Sequence, residues 1–435
     1  MLSYTWGYKI GDIADTLSMF CEREGTLDVK RTYVWMCWAC MNQHRIMQQR
    51  ELGDTPPFEE LHETIKENVT NIGQIIAMMA PWRKPKYLSR VWCDFEMSTA
   101  LNLGDEHCKI HIVMPPAEER DMFGVLSKGG AAFNELWETL AGVRIEDCDA
   151  SVEEDKTNIL SLVIEEHGGP GFHALNSAVA KHLQAWAVDT CTECLRQIHQ
   201  GEDDELAAKA CWGVGGLLRQ VGQTARAGEV LERGRQLREN NGTMKTEAGA
   251  LLLAEIGNIK YAGQEFDAAL ALYEEAQRVR ELTDTVETKE GAILLMNMGV
   301  TKKHLNDLDG ALEAYMEAKR LRVITCTLET PEGSLLLNNI GKANHLGGDT
   351  EGAIAAYEEA KAIRDRTNTL NTPSGASLTM NIGTLKGELG DLGAARSFYE
   401  EAKRIFEVTA TLDTPAGRRL LERIAYLSQF GKMLQ

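Results

Sequence analysis

The chain has 435 residues, 43% of them hydrophobic, and carries 46 Lys and Arg against 65 Asp and Glu for a net charge of −19. That length allows two or three domains with ample core, while the charge excludes a nucleic-acid footprint, which requires a clustered basic surface. No apolar run reaches the roughly 18 residues of a membrane span, and residues 1–10 lack the charged start and apolar centre of a signal peptide. A cytosolic protein is therefore expected, with its ten cysteines as reduced thiols.

In chain order, apolar strand-like runs fall at 32–38, 72–79 and 109–114, with amphipathic helical stretches between and after them. This alternation predicts an α/β domain with a parallel sheet. Residues 58–69 place apolar side chains at 58, 61, 65 and 69 behind Pro56-Pro57, a helix with a start signal. Residues 87–103 give a second helix, in which Trp92, Phe95 and Thr99 share a face and Glu96 stands at helical spacing from Trp92 and Cys93.

Several phrases here resemble a known family. Tyr33-Val34-Trp35 with Cys40-Met41-Asn42-Gln43, followed by Arg90-x-Trp92-x-x-x-Glu96, is similar to the heterokaryon-incompatibility domain, a relative of the Toll/interleukin-receptor fold. Ser3-Tyr4-Thr5-Trp6 resembles the serine-bearing end of that fold's first strand, most of which this chain lacks, and Cys37 replaces an acidic residue of the pattern. Members of that wider group cleave the nicotinamide–ribose bond of NAD with a glutamate in a Trp-Cys-x-x-Glu helix, and Trp92-Cys93-Asp94-Phe95-Glu96 matches it position by position. The resemblance thus implies Glu96 as catalytic residue, Ser3, Trp6, Trp35 and Trp92 as the border of an NAD cleft, and NAD as candidate substrate. A carboxylate beside the ribose would stabilise the sugar cation; the alternative is that Trp92 and Phe95 are core and Glu96 pairs with Arg90 or caps a groove.

The pairs Cys37–Cys40 and Cys191–Cys194 have metal or redox spacing but lie about 150 residues apart, so free buried thiols and no metal are expected. His107, His111 and His167 are isolated. Acidic residues at 146–155 and Gly168-Gly169-Pro170-Gly171 mark a domain edge, giving an α/β domain at 1–170. A connecting helix follows within 171–207, with Leu175, Val179, Leu183, Trp186, Thr190 and Leu195 roughly on one face.

From 208 to 435 the chain repeats. Tyr273, Tyr315, Tyr357 and Tyr399 stand 42 residues apart, as do Ala276, Ala318, Ala360 and Ala402, then Ala269, Ala311, Ala353 and Ala395, and Gly257, Gly299, Gly341 and Gly383. Each repeat reads as helix, turn, helix, as at 290–305 and 309–323 around Asn306-Asp307, with Gly299 facing Ala311 at a close helix contact. Repeats start near 208, 250, 292, 334 and 376; the first is degenerate, and 418–434 is a capping helix with Arg418, Arg419 and Glu422 solvated.

This array resembles tetratricopeptide repeats, and its 42-residue step with Leu-Asn-Asn-Ile-Gly at 337–341 is most similar to the kinesin-light-chain type. One departure is Lys260, Lys302, Asn344 and Lys386 where the first helix usually carries tyrosine. The resemblance implies an all-α solenoid whose first helices line a peptide groove, with Asn258, Asn297, Asn338, Asn339, Lys342 and Asn381 facing the ligand. Asparagine offers donor and acceptor together and so suits a peptide backbone; the alternative is that the repeated asparagines satisfy neighbouring helix ends. Two functions are expected from these readings. One is an intracellular signalling or scaffold protein binding a partner peptide, with self-association through the N-terminal domain. The other is an NAD-cleaving enzyme regulated by its array. A motor-associated light chain is excluded by the lack of sustained heptads before residue 208.

Overall fold

The computed structural model describes residues 1–3, 8–25, 33–34, 58–126, 144–150, 153–167, 171–198, 204–409 and 411–433. They fall into two units, 1–222 and 223–435.

The first unit is built on a three-stranded parallel sheet in the order β1 (Leu2–Ser3), β2 (Gln74–Met78), β3 (Lys109–Val113). Register is set by Leu2 opposite Ile76 and Ile76 opposite His111. Four of the five β2 residues are buried, the pattern of a strand covered on both faces. Leu2, Ile76, Met78 and Val113 close a core with Ile13 and Phe20 of α1 (Ile10–Glu24).

The run at 72–79 divides differently from its apolar reading, because Ile72 ends α2 (Phe58–Ile72) and Gly73, at φ +66°, turns the chain into β2. The stretch at 87–103 likewise splits into a 3-10 turn at Lys86–Ser89 and α3 (Val91–Leu103). Of the strand expected at 32–38, only Tyr33 and Val34 are described, in neither helix nor strand; the remainder lies outside the described residues. Helices α4 (Pro116–Leu126), α5 (Glu153–His167) and α6 (Gly171–Ile198) follow, with α5 and α3 packing on α6. Helix α7 (Asp204–Gln220) also packs on α6 and groups with this unit.

The second unit is all helical among its described residues: α8 (Thr224–Asn240), α9 (Glu247–Ala262), α10 (Phe266–Leu282), α11 (Lys289–His304), α12 (Leu308–Ile324), α13 (Pro331–Leu346), α14 (Thr350–Arg366), α15 (Pro373–Glu388), α16 (Leu392–Val408) and α17 (Pro415–Met433). Start signals are local. Thr246, Thr288, Thr330 and Thr372 cap the first helix of each pair by accepting from the backbone N–H three residues on, and Asp307, Asp349 and Asp391 do so for second helices. Turns inside the pairs need a left-handed residue, supplied by Gln264, Asn306, Gly348 and Gly390 at equivalent positions.

Two of the sequence columns are one contact. A Cβ on Gly257, Gly299, Gly341 or Gly383 would lie 2.5–2.9 Å from the ring of Tyr273, Tyr315, Tyr357 or Tyr399, so the glycine is what lets the tyrosine cross the pair. Both alanine columns are fully buried at the same crossings.

Loops between pairs are held by a column that composition did not single out: Arg280 and Arg364 donate to the carbonyls of Thr285 and Thr369 and to the hydroxyls of Thr288 and Thr372, and Arg322 to the carbonyl of Thr327. Burial pushes all three guanidinium pKa values down from their ordinary value.

Candidate ligand groove

First helices of successive pairs touch one another, α9 on α11, α11 on α13, α13 on α15 and α15 on α17, whereas second helices do so less. The array therefore bends toward its first helices, and their free faces form the inner surface. On α11 and α13 that surface includes the half-exposed apolar residues Ile293 and Leu335, at equivalent positions.

The structure places the six sequence-predicted groove residues on these helices in two environments. Four pair across neighbouring repeats: the Asn297 side-chain amide donates to Asn258 Oδ1 at 3.0 Å, and that of Asn381 to Asn338 Oδ1 at 2.8 Å. Asn258 Oδ1 also accepts from the Tyr273 hydroxyl at 2.8 Å. These asparagines tie repeat to repeat, although each amide keeps spare donors or acceptors. Asn339 and Lys342 are half-buried and make no hydrogen bond or ion pair among the described residues.

Lys342 has company that column reading missed. Burial lowers its ammonium pKa to about 8, assisted by repulsion from Lys303 on α11 and Arg419 on α17. Burial lowers Lys303 as well, with Arg419 adding to it. Several other lysines of the array are paired: Lys260 with Glu265, Lys319 with Glu359, Lys361 with Asp365 and Lys403 with Glu407. Lys303, Lys342 and Arg419 stand at three different positions of the 42-residue step, so repeat spacing could not group them. Arg419, expected to be merely solvated, is exposed yet within electrostatic reach of both lysines.

Tyrosine hydroxyls divide along the array. Tyr273 donates to Asn258, and Tyr399 shares a 3.1 Å hydrogen bond with Thr384. The equivalent positions before Tyr315 and Tyr357 are Val300 and Lys342, and both hydroxyls are buried without a partner. Beside this region Tyr261, Phe266 and His304 cluster, Phe266 stacking on His304 at 4.8 Å, and His345 pairs with Glu388.

In the first unit, Glu96 lies on α3 and is 5% exposed. Trp92, half-buried, packs edge-on against Phe95 at 6.0 Å. Ser3 ends β1, and its side chain, like Trp6 and Trp35 entirely, lies outside the described residues. Two residues before Glu96 lies Asp94, 1% exposed: its Oδ2 accepts from the Cys148 thiol at 2.8 Å, its Oδ1 has no partner among the described residues, and burial pushes its pKa up to about 7. Cys37 and Cys40 lie outside the described residues, and Cys191 is buried. Among the described residues no group of three or more His, Cys, Asp or Glu is arranged to hold a metal, and no helix is long and apolar enough to cross a membrane.

No family model and no curated protein matches this chain. Solved structures similar to it include BtubC (BKLC) from P. vanneervenii, 21% identical over 51% of this chain and 93% of that one, TM-score 0.40. A Podosopora anserina putative kinesin light chain with nearly identical TPR-like repeats is 16% identical over 47% of this chain and 97% of that one, TM-score 0.41. YrrB, described as a TPR protein with an unusual peptide-binding site, is 15% identical over 54% and 99%, TM-score 0.33.

Proposed function

We propose that the protein is an interaction or scaffold protein whose helical array holds an extended segment of a partner protein along its first-helix face. The observation that carries this reading is Asn339 with Lys342: two polar side chains half-buried on the inner surface with nothing in the array to bond to. Both reach solvent from the first-helix face, where an extended peptide would supply N–H, C=O and side-chain partners for them. The 5% exposure of Glu96 favours a binding role for the first unit over ribose chemistry, which needs an approachable carboxylate.

Affinity selection of a displayed random-peptide library on the full chain tests the reading. Retrieved peptides should bind the wild type and lose about tenfold in affinity, about 1.4 kcal/mol, with Asn339→Ala at an unchanged melting temperature. Retention of every peptide by that variant and by Lys342→Met would move the binding face elsewhere.

A further inference from the structure

We propose that the segment 144–150 of the first unit is a proton-operated strap, tied across the start of α3 while the Asp94 carboxyl holds its proton and loosened when that carboxyl ionises.

The strap runs from Arg144 through a 3-10 turn at Ile145–Asp147 to Asp149, which forms an isolated parallel bridge with Arg90 just ahead of α3. Two backbone hydrogen bonds hold it there, Asp149 N–H to the Ser89 carbonyl at 2.8 Å and Val91 N–H to the Asp149 carbonyl at 3.1 Å. On the α6 side, Asn176 accepts from the Ile145 N–H at 3.0 Å and donates to Glu146 at 2.8 Å. Between these anchors sits Cys148, buried, with three acceptors from three elements around its sulfur. They are Asp94 Oδ2 of α3 at 2.8 Å, the Leu88 carbonyl of the turn before α3 at 3.3 Å, and the strap's own Arg144 carbonyl at 3.3 Å.

A thiol has one proton to give and can accept weakly in return. With Asp94 neutral, the 2.8 Å contact carries the carboxyl O–H to the sulfur, and the S–H turns to the Leu88 or Arg144 carbonyl. One line of hydrogen bonds then joins α3, the turn and the strap. With Asp94 ionised, the carboxylate draws the S–H to Oδ2 and both carbonyls lose it. The charge is left enclosed at 1% exposure, with Oδ1 buried and without a donor among the described residues. Loosening the strap relieves that state, because water then reaches the bare oxygen.

Burial raises the pKa of Asp94 to about 7 and pushes that of Cys148 well above its ordinary value, so the carboxyl is the member of the pair that changes charge. Of the groups on the elements packed against α3, only Cys148 acts on Asp94. Asp147 of the strap and Lys156 of α5 act on Cys148 with opposite signs, and Arg144 and Glu146 of the strap pair with each other. Tyr87 of the turn donates to the Cys93 carbonyl, and the Met1 ammonium of β1 is influenced by Glu96 and Cys108.

The experiment follows amide hydrogen exchange of the full chain at pH 5.5, 6.5, 7.5 and 8.5, each rate divided by the intrinsic rate at that pH. Protection of the Val91 and Asp149 amides should fall about tenfold with a midpoint near pH 7, while the amides of β2 and α6 keep theirs. Asp94→Asn, which donates and accepts but cannot ionise, should hold its protection at every pH. Cys148→Ser should retain the transition, since a hydroxyl can relay in the same way, and Cys148→Ala should show the loosened strap already at pH 5.5. In parallel, iodoacetamide labelling read site by site and scaled to the exposed Cys326 should reach Cys148 faster at pH 8.5 than at pH 6.5 in the wild type, and equally slowly at both in Asp94→Asn.

Protection of the strap that does not change with pH, or that falls as much in Asp94→Asn as in the wild type, overturns the proposal. A loss shared by β2 and α6 assigns the transition to the whole unit and overturns it as well. If Asp94→Asn does not fold, the wild-type profile and Cys148→Ala decide: a wild-type strap that is equally protected throughout, or an alanine variant as protected at pH 5.5 as the wild type, refutes the tie.

Discussion

Asp94 and the buried arginines of the array show how single charges are handled when a fold encloses them. Asp94 has one oxygen on a thiol and one on nothing, so the enclosed carboxyl holds its proton up to about pH 7. Its folded pKa lies above its unfolded one; stability should therefore be greatest at low pH, fall between about pH 4 and pH 7, and level off beyond. Denaturant titrations of the full chain should show that slope in the first unit's transition, and Asp94→Asn should flatten it; an unchanged slope in the variant would assign it to other groups. Asp94 was present in the sequence as part of the Trp-Cys-x-x-Glu phrase, but spacing marked Glu96 and could not mark its neighbour. That the Asp94 carboxyl meets a thiol depends on where residues 88 and 144–148 return to α3, information carried by tertiary contact.

Elements were legible to the extent that one periodic force shaped them. The 42-residue columns located every helix pair from α9 to α16, since glycine, alanine and tyrosine are each dictated by the same crossing. Ala318, fully buried there, should not tolerate leucine: overpacking costs about 1–3 kcal/mol. A thermal melt of Ala318→Leu should fall accordingly, and an unshifted melt would refute the crossing. Gly341→Ala should be worse than an ordinary helical glycine replacement, because its Cβ would meet the Tyr357 ring at 2.5 Å, against the gain of about 1 kcal/mol that alanine brings to a helix. Threonine columns at 283, 285 and 288 and their equivalents were equally periodic, yet small hydroxyl residues read as generic loop; their tasks, helix capping by Thr288 and its equivalents and acceptance from Arg280, Arg322 and Arg364, emerge only in the fold. Groove chemistry was legible by half. Asparagine columns were visible, but their mutual pairing was not, because Asn258 and Asn297 occupy different columns and meet only through the stagger of α9 on α11.

For the molecule as a whole, the two units differ in how they hold together. In the first, β1, β2 and β3 join residues far apart in sequence, and its apolar runs left strand limits open until Gly73 fixed one. In the second, each pair contacts mainly its neighbours, so stability is a chain of similar interfaces with an end to be covered. Helix α17 covers it, placing Leu420, Ala416, Ile424 and Leu427 over Met380, Tyr399 and Phe406. Termination after Thr414 should expose that cluster, lower the melting temperature and increase dye binding to apolar surface; a truncated chain that melts as wild type would make α17 dispensable.

The glycine–tyrosine crossing recurs with equivalent threonine caps at Thr288 and Thr330, and these two residues are interchangeable junctions. A gene that lost or gained the codons between them would still encode a chain whose joints all fit. Groove length is therefore a quantity that unequal crossing-over can adjust in whole steps, with the reading frame and the packing both conserved.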